Sequence, residues 1–483
     1  MMAEGSRVRR ASWSGQLAFV LSAAASAIGL GNLWRFPYLA AQYGGGTFIL
    51  VYLCLTVTLG FTLMLSEIAI GRKTGQSQLT AYSRLHRRWG WLGFLGTTVP
   101  ILIVPYYCVI GGWVLRYFVF YCQLAFADAT PLGAAGMDSE AFFNAFVSAN
   151  FAPFGYGAVF IIACAAVVAL GVKNGIERLS LILMPALFVI AVAISVYVIC
   201  LPGTGAGLRY YLVPSMDALC DSSGAFSCAR LGKTVLGAMG QMFYSLSLAM
   251  GIMVTYGSYM RKEDSIERCV RRIEVFDTLV AVIAGLMIVP VVYMFAVKNG
   301  LSVKAAMDTG PGLMFITLPK VFATLGAAGA WVGLAFFALV IFAALTSAIS
   351  LYEACVASFC DFIRLGRRTA TCFVGAIVVS LSTFSALGFG PWAGITVGGM
   401  KFLDFFDFLT NSVLMPVLAT MTCIFIGWVV KPRTIEDEVT AAGGRFRARV
   451  LYRLMVRYFA PLFVIAILVS EICRCLGIGG WSI

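Results

Sequence analysis

The chain alternates between long apolar runs and short polar connectors from end to end. Eleven runs stand out, at 14–40, 44–71, 91–125, 154–171, 177–201, 235–258, 275–298, 328–361, 369–388, 402–430 and 452–477, numbered here spans 1 to 11. Each is close to or above the roughly 20 apolar residues that a bilayer-crossing helix needs. The longest polar stretches between them are 72–90, 202–234, 259–274 and 431–451. This pattern predicts an all-α polytopic membrane protein. Two spans are interrupted. Span 1 carries SAIGLGNLWRFPY at residues 26–38, and span 6 carries YSLSLAMG at residues 244–251. Glycine loosens helical order, and a charge such as Arg35 is expensive at bilayer depth. Irregular backbone is tolerated there only when it is buried in protein or lines a cavity. Both interruptions therefore point to a binding site.

Composition agrees with the pattern. The chain is 60% hydrophobic and 12% charged, with a mean hydropathy of +0.91, far from a soluble domain. Span 1 is too long for a signal peptide and lacks a small-residue cleavage site. The chain reads as one membrane domain over 1–483: a cytoplasmic segment 1–13, a first repeat 14–201, a second repeat 235–430 and an eleventh helix. The net charge of +13 does not indicate nucleic-acid binding. With the N-terminus cytoplasmic, 25 of the 35 Lys and Arg fall on the cytoplasmic side, and the external segment 126–153 has none. That is the positive-inside distribution, and an odd span count puts the C-terminus outside. The single His86 lies in a connector, and the 14 cysteines show no paired metal spacing. Cys220 and Cys228 share one external loop, where a disulfide is possible.

The interrupted spans occupy corresponding places, each opening a five-helix half: spans 1–5 and 6–10. Interrupted segments in matching positions are the sequence sign of a transporter site built from discontinuous helices. Several motifs, in order, carry a resemblance over nearly the whole chain. They are Trp13, SAIGLGNLWRFPY, GGGTF (44–48), SEIAIGR (66–72), PYYCVIGGW (105–113), KNGIERLSLILMP (173–185), GQMFYSLSLAMG (240–251), GSYMRK (257–262), FITLP (315–319), LTSAIS (345–350) and LDFFDF (403–408). The chain resembles the neurotransmitter:sodium symporters of the short bacterial kind, with eleven helices rather than twelve. The inverted five-helix repeat, with discontinuous helices 1 and 6, is a known property of that family and is implied here by the resemblance.

The resemblance implies two sodium sites, and a hard cation wants oxygen ligands. The first takes the Ala27 carbonyl, the Asn32 side chain, Ser245, Asp277 and the substrate carboxylate. The second takes the carbonyls of Ala25, Ile28 and Ala343 with the hydroxyls of Thr346 and Ser347. Taken alone, Thr346 and Ser347 would more simply bond back to the preceding helical turn. Chloride-dependent relatives carry Asn where Asp277 stands and Ser where Ala281 stands. Tyr52, Gln241 and Ser245 match their remaining chloride-binding positions. A carboxylate at 277 would supply the negative charge, so transport is expected to be independent of chloride.

For the substrate, the amides near Leu30 and Gly31 at a half-helix N-terminus should meet a carboxylate, with the Tyr107 hydroxyl helping. The carbonyls of Ala27 and Tyr244, and Ser247, should meet an amine. Gly29 stands where monoamine carriers place an Asp, leaving room for a carboxylate. The implied side-chain pocket is Ile103, Tyr107, Tyr244, Ala249, Met250, Ala348 and Leu351. It is apolar, and an unpaired charge there would be costly. A neutral, large apolar or branched L-amino acid is expected, with aromatic ones admitted because Met250 is an adaptable wall.

The gates follow by the same resemblance. Arg35 and Asp407 form the outer pair, with Phe315 on that side and Tyr107 and Tyr244 as the lid below. Arg10, Trp13, Tyr259 and Asp361 form the inner gate. Gly175 and Pro185 would let span 5 unwind, and Glu67 and Glu353 would bond free backbone at the broken helices. The reading is sodium-coupled symport by alternating access in the bacterial inner membrane, with no role for nucleic acid. A channel would need a continuous polar pore. An enzyme would need a metal cluster, a GxSxG turn or a phosphate loop, and none is present. A sodium-dependent amino-acid receptor on the same fold, without net transport, is the alternative.

Overall fold

The computed structural model describes residues 11–126, 138–220, 224–307 and 311–475. Arg10 of the expected inner gate lies outside them. Among the described residues all regular structure is helical. Nine helices among the described residues are long and apolar enough to cross a membrane: Gly46–Thr74, Arg87–Phe126, Ala152–Ala169, Val172–Cys200, Ile266–Lys298, Ala327–Ile363, Arg367–Leu387, Phe402–Val429 and Arg449–Glu471. They are spans 2 to 5 and 7 to 11. Span 1 is a pair, Gln16–Ala27 and Gly31–Gln42, bent by 55°. Span 6 is Cys228–Ser245 followed by Ile252–Gly257. Both interruptions are thus real breaks in the helix; with the bent pair of span 1 the described residues give ten apolar spans, and the two helices of span 6 stand at the position expected for the remaining one.

Two helices start earlier than the apolar count predicts. Ile266–Lys298 begins nine residues before 275, and Cys228–Ser245 begins seven before 235. In each, a serine caps the start: the Ser265 hydroxyl accepts from the Arg268 amide at 3.5 Å and the Ser227 hydroxyl from the Arg230 amide at 3.4 Å. Capping extends these helices through charged turns that hydropathy alone leaves out.

Burial sorts the spans into layers. In the most apolar stretch of span 3, 78% of residues are buried, against 33% in spans 4, 5 and 11. Span 3 is therefore central and the others face lipid. Spans 2 and 6 touch backbone to backbone. A Cβ on Gly71 would lie 1.9 Å from the Val254 carbonyl oxygen, and one on Gly257 would lie 2.4 Å from that of Ile68. This approach brings Glu67 to the break in span 6. Span 5 is wound from Val172 to Cys200, with Pro185 inside it and a wide π turn at Val172–Glu177. The expected unwinding is not present in this conformation. Gly175 instead allows a close contact, since a Cβ there would meet the Val167 carbonyl at 2.1 Å. Cys220 and Cys228 are unbonded.

The connector between spans 10 and 11 is pinned by charge. Its helix Pro432–Thr440 presents Glu438 to Arg72 Nε at 2.8 Å and to Lys262 Nζ at 2.9 Å. Arg72 is buried and also donates to the backbone carbonyls of Asp264, at 2.5 Å, and Glu438. Glu436 accepts from Arg449 Nε at 2.6 Å and from Arg453. Burial alone would raise the Glu436 pKa, but hydrogen bonds and charge from Arg453 and Arg449 outweigh it and hold the carboxyl below the usual range. A depressed pKa contributes stability above the unfolded value, lost as pH falls through the folded one.

Replacing Glu438→Gln strands the Arg72 guanidinium. Breaking a buried pair from one side costs about 3 kcal/mol or more. Thermal unfolding in detergent should shift down by several degrees, whereas Lys262→Gln, at a half-exposed partner, should change little.

Candidate functional site

The site grows out of the two breaks. In span 1 the Ile28 amide still bonds the Ala24 carbonyl at 2.8 Å. The next two amides leave the helix. Gly29 N donates to Asn32 Oδ1 at 3.3 Å, and Leu30 N donates to the Tyr107 hydroxyl at 3.3 Å. Their usual acceptors four residues back, the carbonyls of Ala25 and Ser26, are thereby released. Ser26 O is taken up by the hydroxyls of Ser347 at 2.8 Å and Ser247 at 3.3 Å. In span 6 the Ala249 amide donates to Glu67 Oε1 at 2.8 Å, which releases the Ser245 carbonyl. Ser247, Ala249 and Gly251 there have φ of 53°, 55° and 74°. Left-handed backbone at non-glycine residues costs roughly 1–2 kcal/mol each, and such strain concentrates at functional sites.

Asp277 of span 7 joins three elements. Its carboxylate accepts from Asn32 Nδ2 at 2.8 Å, from the Tyr52 hydroxyl at 3.1 Å, and from the Ser245 hydroxyl at 2.9 and 3.0 Å. Gln241 Nε2 donates to the Gly31 carbonyl at 3.0 Å. Asn32, Gln241 and Asp277 are completely buried. The oxygens of this cluster, with the freed carbonyls, suit a small hard cation. The second expected cluster is assembled in part. Ser347 Oγ reaches the Ile28 carbonyl at 3.4 Å, while Thr346 bonds back to the carbonyls of Phe342 at 2.9 Å and Ala343 at 3.1 Å.

A cavity lies between the breaks. It is lined by Ala27, Gly29, Leu30, Gly31, Ile103, Tyr107, Tyr244, Ser247, Met250 and Leu351, all expected, and by Ser26, Ile252 and Ser347. Ser245, Ala249 and Ala348, expected on its wall, are not there. The Ser245 hydroxyl is turned to Asp277, Ala249 is held through its amide by Glu67, and Ala348 is fully buried in span 8. Gly29 and Gly31 are required sterically. A Cβ on Gly29 would lie 2.6 Å from Ser347 Oγ and 3.0 Å from the Tyr107 hydroxyl, and one on Gly31 would lie 2.4 Å from the Tyr244 ring. Ser26 is revealed as a site residue only by the structure, where the Leu30 amide turns to Tyr107 and the Ser26 carbonyl is left to Ser347 and Ser247. Ile252 had no signal in the sequence either.

The gates are arranged differently from expectation. Arg35 sits over the Tyr244 ring, its guanidinium 5.7 Å from the centroid. Asp407 accepts from Asn411 Nδ2 at 2.6 Å, and no ion pair joins it to Arg35. The aromatic ring stands in the guanidinium's place of contact. Phe315 does not line the cavity and is packed among Trp113, Tyr117, Phe143 and Phe337 at centroid distances of 5.1 to 6.3 Å. At the expected inner gate Trp13 is fully buried. Its indole donates to the Tyr256 carbonyl at 3.1 Å and its amide to that of Tyr259 at 3.2 Å. Asp361 accepts from the Ser77 amide at 2.7 Å. Glu353 does not meet freed backbone. It binds the Tyr259 hydroxyl at 2.8 Å and Arg367 at 2.5 and 3.2 Å, because a cationic partner is available on span 9.

The chain matches the sodium:neurotransmitter symporter family over residues 10–135 and 157–479. It belongs to that family. Among its symporter relatives is an uncharacterized sodium-dependent transporter, YhdH, of Bacillus subtilis, 31% identical over 95% of this chain and 97% of its own length. The mouse sodium- and chloride-dependent GABA transporter 2 is 24% identical over 96% of this chain and 80% of its own length. The crystal structure of MhsT in complex with L-phenylalanine superposes with a TM-score of 0.81, at 34% identity, covering 96% of this chain and all of that one. The symporter fold, with two five-helix halves and discontinuous first and sixth spans, is therefore shared.

Glu67 offers a test of the release mechanism in this symporter. Glu67→Ala leaves the Ala249 amide buried without an acceptor, which costs about 1–3 kcal/mol. Thermal stability and sodium-dependent uptake should both fall. Glu67→Gln keeps an acceptor oxygen and should restore most of both.

Proposed function

We propose that the protein carries a neutral, large apolar, branched or aromatic L-amino acid together with sodium, without a requirement for chloride. The observation that carries this reading is the cavity between the two breaks. The break residues Ala27, Gly29, Leu30 and Gly31 line it together with the apolar side chains of Ile103, Met250 and Leu351, and Asn32 of the same break is held by the Asp277 carboxylate. A zwitterion fits that polarity. Its carboxylate goes to the amides at Leu30 and Gly31, where the start of a half-helix favours an anion. Its amine goes to the carbonyls of Ala27 and Tyr244. The Leu30 amide is presently held by Tyr107, so the tyrosine would share this donor with the carboxylate. No acid or base lines the cavity beside these apolar side chains, and an ionised side chain there would be unpaired. The solved relative bound to L-phenylalanine supports the aromatic members of the class.

Sodium is cargo in this scheme. One ion sits with Asn32, Ser245, Asp277, the Ala27 carbonyl and the substrate carboxylate. A second sits with the carbonyls of Ala25, Ile28 and Ala343 and the hydroxyls of Thr346 and Ser347, Thr346 turning from its present back-bond. Asp277 faces Ala281 on the next turn, so its own charge balances the first ion where chloride would otherwise be needed. Alternating access follows from rocking of one bundle about this site. The outer closure is Tyr244 with Arg35 and Asp407, and the inner closure is Trp13 on Tyr256 and Tyr259. Gly175 and Pro185 remain the hinge by which span 5 would open toward the second ion. The whole chain acts as one domain of the inner membrane, with the N-terminus cytoplasmic and the C-terminus outside.

Uptake of labelled leucine and phenylalanine into proteoliposomes tests this. An inward sodium gradient should give concentrative uptake that potassium does not support and that gluconate in place of chloride leaves unchanged. Binding without accumulation would make the protein a receptor, and collapse in gluconate would remove the role given to Asp277.

A further inference from the structure

The cytoplasmic arginines fall into two groups. Arg72, Arg271, Arg367, Arg449 and Arg453 each have a carboxylate within ion-pair distance. The others have none among the described residues, and of these Arg87, Arg88 and Arg457 flank the same helix end. On one flank of span 10, Trp89 of the short helix Arg87–Trp89 packs on Phe425 with ring centroids 5.6 Å apart and stacks on Trp91 at 5.9 Å. On the other flank, Trp428 meets Tyr458 edge-on at 6.4 Å, and Arg457 Nε donates to the Gly427 carbonyl at 3.2 Å. Phe425 is fully buried and Trp428 is half-exposed in the same wide turn, Phe425–Val429, that ends span 10. Trp91, Trp428 and Tyr458 are 48%, 51% and 60% exposed.

Half-exposed Trp and Tyr at a span end mark headgroup depth. Above them, exposed apolar side chains continue along the spans: Phe94 on span 3, and Leu462, Ile465 and Val469 on span 11. Cations without counter-ions, a belt of amphipathic rings and an apolar wall together match one ligand chemistry, a phosphodiester carrying two acyl chains. We propose that this end of span 10 holds the headgroup of one anionic phospholipid of the inner leaflet, between Arg87 and Arg88 on one side and Arg457 on the other. The proposal rests on the cytoplasmic orientation of this end and not on the identity of the transported solute.

Native mass spectrometry of the full-length protein in detergent reads the site directly. Phosphatidylglycerol and phosphatidylcholine of identical chains are added in equal amounts, with sodium phosphate in a separate arm. The wild type should retain one phosphatidylglycerol in at least tenfold preference and melt several degrees higher with it. Arg87→Gln/Arg88→Gln, which alters only exposed side chains, should reduce the preference severalfold, and adding Arg457→Gln should abolish it. Arg364→Gln, an exposed cation on this side at the end of span 8, should leave it intact. Equal retention of both lipids, an unchanged preference in the triple variant, or the same stabilisation by phosphate alone would overturn the proposal. The measurement does not involve uptake, so its failure beside intact sodium-dependent uptake would fall on this site alone.

Discussion

A backbone amide at membrane depth must have an acceptor, and the rest of this structure depends on which acceptors are provided where two helices break. In span 1 the Gly29 and Leu30 amides go to Asn32 and Tyr107, and in span 6 the Ala249 amide goes to Glu67. Each transfer has a second effect. The carbonyl that the amide would have met in an unbroken helix is left facing the interior. Side-chain acceptors thus do two things: they satisfy the donors that would otherwise make the breaks prohibitively costly, and they create the oxygens of the site.

Asp277 then ties the breaks together. Its carboxylate is reached by Asn32 from span 1, Tyr52 from span 2 and Ser245 from span 6. A buried carboxylate held only by neutral donors retains an uncompensated charge, which a cation can answer. In the proposed function, coupling follows from this arrangement. A solute carboxylate and a sodium ion placed beside one another each raise the other's affinity by the same factor. The close approach of spans 2 and 6 at Gly71 and Gly257 matters because it carries Glu67 to its amide.

Much of this was legible in the sequence. The nine unbroken spans and the bent first one follow from hydropathy. Both interruptions are set by glycine and polar residues within otherwise apolar runs, and the motifs carry most of the cavity wall. Other features were not legible because they depend on side-chain choice among nearby partners. Arg35 rests on the Tyr244 ring rather than on Asp407. Thr346 bonds its own helix while the adjacent Ser347 crosses to span 1. Glu353 takes Arg367 instead of free backbone. Phe315 belongs to an aromatic cluster that only packing reveals. The charged starts of spans 6 and 7 escaped the apolar count because caps, not hydropathy, extend them.

The central claim is that sodium and the amino acid share one shell of oxygens around Asp277. Equilibrium binding measured both ways tests it most directly: amino-acid affinity as a function of sodium, and sodium affinity as a function of amino acid. In the wild type the two factors should be equal and at least tenfold, and in Asp277→Ala both should fall to near one. Amino-acid binding that is indifferent to sodium in the wild type, or coupling that survives intact in Asp277→Ala, would contradict the account.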